Sequence, residues 1–129
     1  MRIDGRMMVA PLDQTITVSA GVAHDWWNAG DEEAHVRVEV RPAQRFELLI
    51  FNLFGLANDG KTNAKGMPNP LQLAVLGSEF RDTIVFTSPP PAVQQIMFLF
   101  LAPIGRLLGY RGHYEKYIVD QQHIIEQNK

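Results

Sequence analysis

Cysteine is absent from the 129 residues. That excludes a disulfide frame, a thiolate nucleophile and a Cys-based zinc site. Long apolar runs are missing too. The most apolar stretch, Ile96–Leu108, is interrupted by Pro103 and Arg106, and about a dozen residues fall short of the ~20 that span a bilayer. Met1 to Ala10 holds two Arg and one Asp but no apolar segment of a secretory signal, so a cytoplasmic protein without a membrane partner is expected. Neither sign of charge dominates: twelve Lys plus Arg stand against fourteen Asp plus Glu, a net charge of −2. Residues 1–66 carry seven basic and nine acidic groups and residues 67–129 five of each, which leaves no basic footprint for nucleic acid. Gly55, Gly60 and Gly66 are scattered and fit no phosphate-binding loop. Ser19 belongs to a turn, and no Ser sits in a nucleophile elbow.

What is present is one domain's worth of chain with two differently patterned parts. A 46% hydrophobic fraction suits a folded domain that buries roughly two-thirds of its unfolded surface. We read residues 1–129 as a single domain of α+β class, with a β part over 1–42 and a helical part over 43–129. Asp4-Gly5 is a hairpin turn signal between Met1–Ile3 and Arg6–Ala10. Thr15–Val18 alternates with period two, Val22–Asn28 is aromatic-rich, and Ala34–Arg41 alternates with Val36, Val38 and Val40 on one face. Four to five short antiparallel strands are expected.

After Pro42 the period becomes helical. Phe46, Leu49, Ile50 and Leu53 predict a helix that ends at Asn58-Asp59-Gly60 and covers one face of the sheet. Asn69-Pro70 reads as an N-cap followed by Pro at the first helical position, opening a helix to about Phe80. Thr83–Phe86 is a short strand or extended linker. Ser88-Pro89 repeats the cap device, and a helix from about Ala92 is expected to kink or break at Pro103 before resuming to Gly109. Tyr114, Tyr117, Ile118, Gln121 and Ile125 place a fourth, weakly amphipathic helix over Tyr114–Gln127.

Gly21, His24 and Asn28 share the spacing of a known motif: Gly, two residues, His, three residues, Asn. The segment Asp13–Asn28 resembles the second conserved motif of the cupin family, with Asp13 standing where that motif has its first Gly and Ser19 where it has Pro. Ile3-Asp4-Gly5-Arg6 resembles the family's inter-motif hairpin, and Val36–Pro42 its barrel-closing strand. Arg45-Phe46-Glu47, Asn58–Asn63 and Pro68-Asn69-Pro70 are similar to a bacterial cupin subgroup with a helical extension. The resemblance covers residues 1–117. It implies a partial cupin-like antiparallel sheet, a half barrel or jelly-roll remnant, followed by three to four helices.

A cupin metal takes three His and one Glu, and the resemblance implies that this chain begins after the first motif, which supplies most of them. Only His24 corresponds to a ligand. His35, His113 and His123 form no ligand pair with neighbouring carboxylates. His24 therefore reads as a remnant ligand, as a group lining a pocket, or as a histidine fixed in the sheet. If Asn28 pairs with Glu33 around the turn, His24 faces Arg37, Trp26 faces His35, and Glu39 joins that face. A slip of one residue puts Val36 and Val38 there instead. The ligand-binding candidates are His24, Trp26, His35, Arg37 and Glu39, with no catalytic residue, metal or cofactor assigned.

Two functions follow from the resemblance. One is a metal-free small-ligand-binding or assembly module without catalysis. The other is a metal-dependent cupin enzyme, isomerase- or oxygenase-like, whose missing ligands come from a partner chain or upstream sequence. An open sheet edge further implies a homodimer through strand residues such as Ile16, Val18, Trp26 or Val38, unless helices over Ala92–Gly109 fill the gap within one chain. Ile96, Met97, Leu99, Phe100 and Leu101 read as intramolecular core or dimer interface before membrane surface.

Overall fold

Asp4 and Gly5 both take positive φ, 48° and 76°, as the two central residues of a tight hairpin turn require. The turn joins β1 (Arg2–Ile3) to β2 (Arg6–Met7), with Arg2 opposite Met7 and Ile3 opposite Arg6. Reciprocal bonds between Met1 and Met8, each 3.0 Å, lengthen the ladder by one pair. β3 (His24–Asp25) pairs antiparallel with the other edge of β1, giving the order β2-β1-β3. The computed structural model describes residues 1–119, and within them the chain clusters into two compact units, Met1–Glu39 and a second that begins at Val40. Its class is α+β. Positions 121, 123 and 125 of the expected fourth helix lie outside the described residues, while 115–119 are helical.

The sheet is smaller than the alternation predicts. Residues 15–18 and 33–40 adopt no regular secondary structure, and Val36 and Val38 are more than half exposed. A period-two pattern becomes a strand only when a neighbour supplies the ladder. Here β1 is the central strand, and β2 and β3 occupy both its edges.

The helical unit follows the sequence more closely. α1 (Phe46–Asn58) and α2 (Pro70–Glu79) have the expected bounds. Asn69 caps α2 by accepting from the amides of Leu71 and Gln72 at 3.1 and 3.0 Å, with Pro70 at N1. At the end of α1, Gly60 takes φ 68° and the Lys61 amide returns to the Leu56 carbonyl at 2.8 Å, a closure that only a left-handed residue permits cheaply. α3 runs unbroken over Pro91–Leu107 with Pro103 inside it. The expected break is absent because Pro103 lies on the exposed side, where the carbonyl left without an N–H partner can bond water instead.

Leu49, Leu56, Leu76, Phe80 and Tyr117 form the core, with Leu53 and Tyr114 packed on it. α1 thus spends its most buried face inside the helical unit. Of the expected set Phe46, Leu49, Ile50 and Leu53, only Leu49 is fully buried. α2 and α3 touch closely because their contact points are glycines. A Cβ on Gly77 would lie 2.6 Å from Phe98 Cε2, and one on Gly105 2.7 Å from Val75 Cγ2. No helix among the described residues is long and apolar enough to cross a membrane.

Candidate functional site

Gly21, His24 and Asn28, the residues that carry the motif, each have a local structural task. Gly21 takes φ 79°, in a turn where the Val22 amide bonds the Ser19 carbonyl at 3.2 Å. Asn28 closes the next loop: its Nδ2 donates to the Glu32 carbonyl at 2.6 Å and its Oδ1 accepts from the Gly30 amide at 3.1 Å. His24 Nδ1 lies 2.9 Å from the Val22 carbonyl and donates to it, a bond that needs the proton on Nδ1. In the ladder His24 stands opposite Ile3, and Asp25 opposite Arg2, with which it forms an ion pair.

The five candidates occupy the β unit as follows. His24 is exposed in β3 and Trp26 is 57% exposed just beyond it. His35 lies 3.6 Å from Glu33, both side chains at least 85% exposed, so the pair contributes little. Arg37 and Glu39 are exposed in the irregular segment. The register places His24 against Ile3, a pairing that neither expected register of His24 with residues 36–38 contains. Among the described residues no three His, Asp or Glu side chains converge to hold a metal ion.

The densest polar chemistry lies in the helical unit, at positions the motif reading does not include. Asn52 and Gln72 are fully buried. Asn52 Nδ2 donates to the Leu48 carbonyl at 2.6 Å, and its Oδ1 accepts from the Tyr114 amide at 2.8 Å. Gln72 Nε2 donates to the Arg111 carbonyl at 2.8 Å, and the Tyr114 hydroxyl donates to Gln72 Oε1 at 2.7 Å. Among the described residues every buried side-chain polar atom has a partner. The network therefore fastens residues 111–114 onto α1 and α2, and it leaves no group free for a ligand. Its sequence signal is a polar residue inside an apolar helical stripe: Asn52 between Leu49 and Leu56, Gln72 between Leu71 and Val75.

A second cluster surrounds Asp59. Its Oδ2 accepts from Lys116 Nζ at 2.5 Å and from the Tyr117 hydroxyl at 2.8 Å, and Lys61 Nζ lies at 3.1 Å. Hydrogen bonds from Lys116, Tyr117 and Lys61, in that order, hold the Asp59 carboxyl well below the usual carboxylate range. Burial and the bond to Asp59 push the Tyr117 phenol up. A carboxylate saturated by three donors is a poor proton acceptor, so the cluster staples the end of α1 to residues 116–117. Arg45 makes the corresponding clamp at the start of α1: its guanidinium donates to the Glu79 carbonyl at 3.0 Å and to Glu79 Oε1 at 2.8 Å. It also covers the Phe80 ring at 4.7 Å.

Comparison of the chain with known protein families, with curated proteins and with solved structures found no match.

Proposed function

We propose that the chain is a metal-free, cupin-like module that binds a small ligand or assembles with another polypeptide and has no catalysis of its own. One observation carries this reading. None of residues 1–39 is buried, while Met7, Val9, Leu12, Trp26, Val36 and Val38 are exposed. An apolar surface left open over a whole unit is a surface to be covered. In this reading the β part is half of a cupin-like barrel whose open face takes a ligand or a complementing sheet. His24, Trp26, His35, Arg37 and Glu39 are the polar and aromatic groups it offers to that occupant.

Metal analysis of protein purified without chelator or nickel tests the chemistry. Sub-stoichiometric iron, manganese, zinc and nickel are expected, and one equivalent of any of them would favour the metalloenzyme instead. Hydrogen exchange tests the open surface. Amides of Met1–Glu39 should exchange quickly in the purified chain and gain protection when an occupant binds. Full protection in the dilute chain alone would overturn the reading.

A further inference from the structure

α3 divides its side chains between two faces. Gln94, Phe98, Leu101, Ala102 and Gly105 recur at i, i+4, i+7, i+8 and i+11 and are buried or half-buried on the α2 side. The opposite face carries Val93, Ile96, Leu99, Phe100, Ile104 and Leu107, exposed from 44% at Val93 to 88% at Leu107. Met97 and Leu108 extend it, both at least 40% exposed. A helix apolar on both faces is ordinarily buried on both. Among the described residues only one face has a partner.

We propose that the outer face of α3 is a twofold interface between two copies of this chain, packed antiparallel about Phe100. The spacing is self-complementary. Val93 and Leu107 lie seven residues either side of Phe100, Ile96 and Ile104 four, and Met97 and Pro103 three. An antiparallel pair centred on Phe100 therefore sets Val93 against Leu107, Ile96 against Ile104, Met97 against Pro103 and Phe100 against its own copy, as an isologous contact requires. The area also suffices. Eight side chains of this size and exposure present roughly 800 Å² of surface, the share each partner contributes to a standard stable interface.

Other occupants fit less well. Interfacial helices are bordered by several Lys or Arg, whereas Arg106 is the one charged residue in Pro91–Leu107, and it is turned to Glu79 at 3.8 Å. Residues 120–129 contain only Ile124 and Ile125 as large apolar side chains, too few to cover eight. The proposal stands independently of the proposed function, which rests on the β unit.

Light scattering of the full chain at micromolar concentration should give twice the 14.6 kDa chain mass. Phe100→Glu should halve that mass while leaving the far-ultraviolet circular dichroism unchanged. If Phe100→Glu fails to fold, Phe100→Cys decides, because the sequence has no other cysteine. Helix axes roughly 8–10 Å apart with a Cα radius of ≈ 2.3 Å bring the two facing Cα atoms to about 3.4–5.4 Å, a range whose wider part is within disulfide reach. Oxidation should then link most of the chains in pairs, and Lys65→Cys, on an exposed loop of the same unit, should not. A monomeric wild type, a dimer that survives Phe100→Glu, or a dimer dissociated by Val38→Glu alone would each overturn the proposal. So would a monomer that sediments with phosphatidylcholine–phosphatidylserine vesicles, which would assign the face to lipid.

Discussion

The ring of Tyr117 lies against the backbone of Gly55, so close that a Cβ there would sit 2.7 Å from Tyr117 Cδ2 and nearer still to Cγ and Cδ1. Glycine inside α1 costs helix propensity, about 1 kcal/mol relative to alanine, and here that cost lets residues 114–117 reach the core. Gly55→Ala should therefore destabilise the helical unit, by about 1–3 kcal/mol as other overpacking substitutions do. A urea titration followed by circular dichroism measures it. A midpoint equal to or above the wild type would contradict the close approach.

Tyr114→Phe removes one oxygen and leaves the ring. That oxygen donates to buried Gln72 Oε1 and accepts from the Arg111 amide at 3.1 Å. A buried acceptor left without a partner costs about 1–3 kcal/mol, and the expected loss falls in that range. Gln72→Leu combined with Tyr114→Phe should cost less than the sum of the two single losses in a double-mutant cycle, since the Tyr114–Gln72 bond is then removed from both sides while the Arg111 groups lose their partners in the single variants as well.

Asp59 makes the helical unit acid-sensitive. Its folded pKa is depressed by the donors Lys116, Tyr117 and Lys61. Such a group contributes stability that is complete above its unfolded pKa of about 3.9 and lost as pH falls through the lower folded value. The wild-type melting temperature should therefore drop steeply below about pH 4. Asp59→Asn should melt lower at neutral pH and show a flatter acid limb. At alkaline pH the sign reverses for Tyr117, whose raised pKa delays tyrosinate formation relative to free tyrosine. Near-ultraviolet absorbance reads that delay.

Two leucines of α1 separate full from partial burial. Leu56 is 1% exposed inside the core, whereas Leu53 packs on it from the half-buried side. Leu56→Ala should cost about 2–5 kcal/mol. Leu53→Ala should destabilise measurably but by less. Equal losses at the two positions in thermal or chemical melts would mean that the core is arranged differently.

Where structure depends on neighbours in sequence, the sequence was legible. The Asp4-Gly5 turn, the Asn69-Pro70 cap and the Asn58–Gly60 stop are each decided within four residues, and each stands at its expected position. Strand formation over 15–18 and 34–40 depends on a partner ladder that alternation cannot supply. Pro103 shows the same limit in a helix, because its effect turns on whether the ring faces solvent. Of the candidate site, the local tasks of Gly21, His24 and Asn28 lie close to their motif spacing. The Ile3–His24 register joins residues 21 positions apart and has no local signal. Asn52 and Gln72 did leave a signal, a polar side chain in an apolar stripe, and it pointed to internal fastening.

The aromatic chromophores are segregated along the chain. Both tryptophans, Trp26 and Trp27, belong to the β unit, while all three tyrosines, Tyr110, Tyr114 and Tyr117, belong to the segment fastened against α1 and α2. One protein sample thus carries two optical reporters that need no labelling. Acrylamide quenching of the indoles follows the β unit, and tyrosine near-ultraviolet dichroism follows the helical one. In a single denaturant titration, coincident curves would mean that the two units unfold as one cooperative body. Separated curves would assign each its own stability and show which unit an added occupant stabilises.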